Sequence, residues 1–161
     1  MSYRNVFAGI AVVIVALFIF GGGGGEKGGS SSAPRVESSA PLPSNGEVLQ
    51  GDSYGDGIIK VTAPRNQHCV VKVYSADKKV QSAFFVKSGS TASVNVPEGS
   101  YFVHFALGES WAGNQSLFGD GTIYGADNSP HAIRSGEGME YSLKTVSNGN
   151  FSMDHIDASQ F

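Results

Sequence analysis

From Val48 to Phe161 the chain is a succession of short alternating runs, with no amphipathic-helix spacing between them. Ile58–Thr62, Cys69–Ser75, Val80–Lys87, Thr91–Val96, Tyr101–Leu107, Met139–Val146 and Phe151–Ile156 all read as strands. Polar turns separate them at Ala76-Asp77-Lys78-Lys79, Ser88-Gly89-Ser90 and Pro97-Glu98-Gly99-Ser100. Asn148-Gly149 predicts a tight hairpin that returns the chain through Phe151–Ile156, after which the last residues are expected to fray. Several runs put large apolar groups on one face and Lys, Gln, Asn or Ser on the other. That pattern predicts an all-β domain over residues 48–161, an antiparallel two-sheet sandwich of about seven strands.

One stretch interrupts the pattern. After Tyr101–Leu107, residues 108–133 read as a long Gly-rich loop carrying the sole tryptophan, Trp111, with Leu117, Phe118, Ile123 and Tyr124. A loop so rich in large apolar groups is expected to fold back over one end or edge of the sheet. Trp111, Phe118 and Tyr124 have two readings: a lid that packs on the sandwich, or an exposed binding surface, since Trp and Tyr favour interfaces. Large exposed apolar patches are uncommon on soluble surfaces, so packing is preferred.

Ahead of the domain, Val6–Phe20 is fifteen residues without a charge, and Gly21–Gly25 extends the run to twenty. At about 1.5 Å per residue, such a helix just spans a ~30 Å hydrocarbon core. A buried core helix would show a polar face, and this segment shows none. Residues 1–25 therefore read as an uncleaved signal anchor, a transmembrane helix inserted through residues 6–25. Arg4 and the terminal amine hold the N-terminus in the cytoplasm, which places the domain in the periplasm or outside the cell. The alternative is a signal peptide cut within Gly21–Gly25, releasing a soluble secreted domain. Residues 26–47, rich in Gly, Ser and Pro, read as a flexible linker.

The run TASVNVPEGSYFVHFALG, with Val94-Asn95-Val96-Pro97-Glu98-Gly99-Ser100-Tyr101 at its centre, resembles strand-turn-strand segments of transthyretin-like and carboxypeptidase-regulatory-like sandwich domains. Its continuation through Gly108, Trp111, Leu117-Phe118-Gly119, Thr122 and Tyr124 looks like a group of bacterial membrane-anchored proteins. The resemblance implies a sandwich fold and a cell-envelope location, and it carries over no catalytic residue.

Residues 47–161 hold 8 Lys+Arg against 12 Asp+Glu, and a mildly acidic domain without a basic stripe argues against nucleic acid. A single cysteine, Cys69, excludes an internal disulfide framework; in CVVKVY it reads as a small buried side chain. Gly108-Glu109-Ser110-Trp111-Ala112-Gly113 misses the nucleophile-elbow spacing and precedes no helix. Gly119 to Gly125 likewise fails the dinucleotide fingerprint. His68, His104, His131 and His155 form no close pair, so zinc would require His104, His131 and a carboxylate to meet in space. Asp120, Asp127, Asn128, Asp52 and Asp56 match no calcium loop and read as turn formers. No catalytic residue, metal ligand or cofactor is assigned. The sequence points to a membrane-tethered, envelope-facing, non-enzymatic binding or structural module, with an envelope protein as a candidate partner. The competing reading is an envelope hydrolase with its site in residues 108–133.

Overall fold

A computed structural model describes residues 12–18 as a backbone path, together with residues 40–145 and 153–161. The strands in chain order are β1 (Val12–Phe18), β2 (Val48–Gly51), β3 (Gly57–Thr62), β4 (His68–Ser75), β5 (Val80–Val86), β6 (Thr91–Val96), β7 (Gly99–Gly108), β8 (Ile123–Ile133), β9 (Gly138–Thr145) and β10 (Asp154–His155). They form a smaller sheet, β1-β9-β3-β6, and a larger one, β10-β8-β7-β4-β5-β2. The all-β class and the sandwich arrangement expected from the alternation are present, and six of the expected strands lie within a residue or two of their places.

The main core lies between the sheets. Ile59, Val61, Val94, Val96, Met139, Tyr141 and Leu143 come from the smaller sheet. Cys69, Val71, Val73, Phe84, Val86, Val103, Phe105 and Leu107 face them from the larger one. Each set alternates along its strand because successive strand residues point to opposite faces. At the turn into β7, the Tyr101 hydroxyl donates to the Pro97 carbonyl at 2.6 Å and ties the corner to the strand, much as a tyrosine corner does in other sandwiches.

Several expectations change. The larger sheet is antiparallel throughout, but the smaller one is mixed: β9 runs parallel to β3 and to β1. Residues 123–133, expected as loop, form β8 along β7. The turn-forming residues of β8 concentrate at a register shift: Asp127 pairs with Val103 and His131 with Tyr101, leaving Asn128–Pro130 across the irregularity. A proline without an N–H is tolerated at such a break and disfavoured in a continuous ladder. Within the expected return strand, β10 pairs with β8 in the other sheet and not with β9; Asn148-Gly149 and Phe151 lie outside the described residues. The chain end is not frayed. Ala158–Gln160 forms a 3-10 turn with a capping box from Asp157 and Gln160, and Phe161 packs on Tyr124 at 5.4 Å between ring centroids.

The expected linker and anchor are touched only in part. Ala40 packs on the domain, Pro43 is buried, and Asn45 donates to the Thr91 carbonyl and accepts from the Lys87 amide, so the ordered domain begins before Val48. Within the expected anchor, Val12–Phe18 is an extended strand paired with β9. A β-branched apolar run satisfies a strand as readily as a helix, and β9 offers it a free row of backbone groups. No helix among the described residues is long and apolar enough to cross a membrane.

Candidate functional site on the outer face of the larger sheet

Strands β4, β5 and β7 each contribute one apolar residue to a second cluster, on the outer face of the larger sheet. Val70, Phe85 and Ala106 supply the floor, and the loop 109–122 folds over them with Trp111, Leu117 and Phe118. Trp111, 7% exposed, stands edge-on to Phe85 at 5.1 Å and to Phe118 at 5.6 Å, and buried aromatic pairs favour such edge contacts. His68 stacks on Phe118, and its Nδ1 accepts from the Ser88 amide at 3.0 Å. Burial holds the His68 imidazole below its ordinary pKa, with Lys87 adding in the same direction.

Two glycine-like features let the loop approach. Gly108 ends β7 directly beneath Phe118, and a Cβ there would overlap the Phe118 side chain. Leu117 adopts a left-handed φ of 49°, which is costly for a side chain with a Cβ. Reciprocal contacts hold it there: the Leu117 amide donates to the Gly113 carbonyl and the Ala112 amide to the Leu117 carbonyl, both at 2.7 Å.

Beside the aromatic lid lies a cleft of about 260 Å³. Leu49, Val70, Ala83, Leu117 and Tyr124 line it with apolar groups, Gln50, Asn114 and Gln115 with amides, and Lys72 with its one cation. Phe161 closes one side. Lys72 Nζ donates to the main-chain oxygen of Phe161, the last residue of the sequence, at 2.9 Å and sits 4.5 Å from its ring centroid. The Tyr74 hydroxyl donates to the same oxygen at 3.0 Å, and His104 Nδ1 meets the Gln160 carbonyl at 3.1 Å. Burial lowers the Lys72 pKa, because a partly desolvated ammonium loses hydration.

Of the residues singled out in the sequence, Trp111 and Phe118 meet in one buried contact, while Tyr124 is half-buried and lines the cleft beside Phe161. Lys72, Tyr74 and Phe161 were not singled out. The available signal was Lys72 as a lone cation in CVVKVY, followed two residues later by Tyr74 on the same strand face.

The other constellations disperse. His104 lies on the outer face beside Tyr74, whereas His131 pairs across from Tyr101 on the inner face, so the two share no metal. Among the described residues no group of three His, Cys, Asp or Glu side chains is placed to hold a metal ion. Ser110 is exposed and has no hydrogen bond to a histidine among the described residues. Asp127 instead forms a buried structural network. It is 2% exposed and accepts from the Ser129 amide at 3.0 Å, His131 Nε2 at 2.7 Å and the Tyr141 hydroxyl at 3.0 Å.

Fold and site together define an all-β, sandwich-like domain with a partly apolar surface cleft beside an aromatic lid. No family model, curated protein or solved structure matches the chain.

Proposed function

We propose that the protein is a membrane-tethered, envelope-facing binding module without catalytic activity. The observation that carries the binding half is the cleft beside Phe161, where convergent donors from Lys72 and Tyr74 sit among apolar walls. The cleft mixes apolar and polar lining in comparable measure, and concave sites with placed polar groups are what ligands select. The tether half rests on the uncharged run Val6–Gly25 behind Arg4. It requires Val12–Phe18 to leave β9. In lipid every backbone group must be satisfied within its own segment, so the bilayer favours a helix where water favours the open strand edge. The Val94–Tyr101 corner supports placing the domain with transthyretin-like sandwiches.

A ligand that binds only the folded state raises its unfolding temperature. Thermal unfolding of the full chain is therefore compared with and without a small-molecule extract of the cell envelope. A saturable rise that disappears in Leu49→Trp, a change that fills the cleft from an edge strand, supports the reading; no rise contradicts it.

A further inference from the structure

With β1 set aside, the two sheets end on β9, β6, β10 and β2 among the described residues. Three of these edges are closed to further pairing. Strand β2 is four residues long and carries a register shift between Val48 and Gln50. Strand β10 is two residues long. Strand β6 is covered at both ends by residues 45–55. Asn45 Nδ2 donates to the Thr91 carbonyl, the Asn95 amide to Ser53 Oγ, and the Tyr54 amide to the Asn95 carbonyl. Short strands, bulges and loop cover are the usual means of keeping an edge from pairing.

Strand β9 has none of these. It is eight residues long, contains no proline, and pairs with β3 and β1 without a register shift. The Ile58 amide donates to the Glu137 carbonyl, so Met139, Tyr141 and Leu143 turn their backbone groups to β3 as well. Glu140, Ser142 and Lys144 therefore turn theirs to the other side, where β1 lies. The ordinary reading is an edge protected by its own charges. Glu140, however, is held by Lys60 at 2.8 Å, and β1 pairs straight past Lys144 through Leu17. Neither charge prevents pairing.

The cover of this edge is thus drawn from the anchor. Insertion of residues 6–25 in a bilayer removes it, and so does cleavage within Gly21–Gly25. We infer that β9 is a docking edge for a partner polypeptide, which adds an extended, uncharged, apolar segment in parallel beside Gly138–Thr145. The chemistry of the occupant is read from β1: Val12–Phe18 is uncharged and opens with a run of β-branched residues, Val12-Val13-Ile14-Val15. Main-chain hydrogen bonds hold such a strand, and its uncharged side chains fit an edge that no cation or anion has to leave water to meet. The inference is separate from the cleft. It holds whether the N-terminal segment stays in the bilayer or is cut away, and it fails if β1 remains on β9.

The probe is a synthetic peptide of residues 12–18 with lysines added at one end for solubility and with Val15→Cys, the position opposite Ser142 in the β1 register. The full chain carrying Ser142→Cys is held in vesicles of phosphatidylethanolamine and phosphatidylglycerol, and disulfide formation under a mild oxidant is followed by mass. Paired residues on neighbouring strands lie roughly 4.8 Å apart, within disulfide reach. The peptide is expected to couple to Ser142→Cys about tenfold faster than to Lys144→Cys, which is out of register. N-methylation at its Ile14 and Ala16, whose amides meet the outward carbonyls of β9 in this register, should slow coupling about tenfold. Near-ultraviolet circular dichroism checks that Ser142→Cys is folded. If it is not, Glu140→Cys and a peptide with Val13→Cys replace the pair.

No coupling, equal rates at positions 142 and 144, or indifference to N-methylation overturns the assignment. So does an intrachain disulfide when Val15→Cys and Ser142→Cys are combined in one chain, because β1 would then remain on β9. A disulfide dimer of Ser142→Cys that outruns the peptide also overturns it and gives the edge to a second copy. Loss of the chain from the vesicles on carbonate washing contradicts the tether alone, and coupling is then read on the released chain.

Discussion

The Tyr141 hydroxyl on β9 donates to the Asp127 carboxylate on β8 at 3.0 Å, a buried hydrogen bond that joins the two sheets. His131 Nε2 shares the same carboxylate oxygen. Burial, and then the Asp127 charge, push the Tyr141 hydroxyl far above its ordinary pKa, so it remains a donor at any physiological pH. Tyr141→Phe leaves a buried carboxylate one donor short and should cost about 1–3 kcal/mol. Asp127→Asn should cost a similar amount, and the two should couple in a double-mutant cycle by more than about 0.5 kcal/mol. Urea unfolding of the full chain and the three variants measures this; strict additivity would show that the bond contributes nothing across the sheets.

The lid is structural. Trp111 fills the second cluster, so Trp111→Ala should lower stability by about 3–5 kcal/mol. Gly108→Ala introduces a methyl into the Phe118 side chain, and overpacking of this kind costs about 1–3 kcal/mol. Both are read by thermal or urea unfolding of the full chain. An unaltered midpoint in Trp111→Ala, together with loss of binding to an envelope partner, would make Trp111 a recognition residue.

Cys69 is fully enclosed in the main core, and burial pushes its thiol far above the ordinary range. A neutral, inaccessible thiol is a poor nucleophile. A thiol reagent should label Cys69 only in denaturant; labelling of the folded chain within minutes would mean that β4 faces the other way.

Stability should depend on histidine protonation. His104 and His68 are both held below the ordinary value of 6.5, chiefly by burial; nearby lysines add to this, and the Gln160 carbonyl opposes it at His104. A lowered folded value means that the unfolded chain takes up the proton first. The contribution is therefore complete above pH 6.5 and is lost as pH falls from 6.5 through the folded values. The urea midpoint should decline between pH 7.5 and 5, and less steeply in His104→Gln. A flat profile would contradict the burial of these rings.

The alternation of Thr91–Val96 made the inner face legible, because Thr91, Ser93 and Asn95 are exposed and polar while Ala92, Val94 and Val96 are buried. The outer face was less so. Phe85 lies between Phe84 and Val86, and Val70 between Cys69 and Val71; such unbroken apolar runs announce burial on both sides without naming what covers the second. Strand β8 was hidden because Gly125, Asn128 and Pro130 are loop residues by local preference, and only pairing with β7 overrides that preference. The docking of Phe161 on Lys72 and Tyr74 joins residues nearly ninety positions apart, and no local pattern encodes such a contact. The parallel pairing of β9 with β3 is likewise a matter of topology, not of sequence period.

The most direct test of a tethered module is alkaline carbonate extraction of membranes holding the full chain, followed by the mass of its N-terminus. Residues 6–25 in the bilayer predict that the protein stays with the membrane pellet and retains Met1. A soluble protein beginning near Gly22 would contradict the tether and leave a released domain in its place.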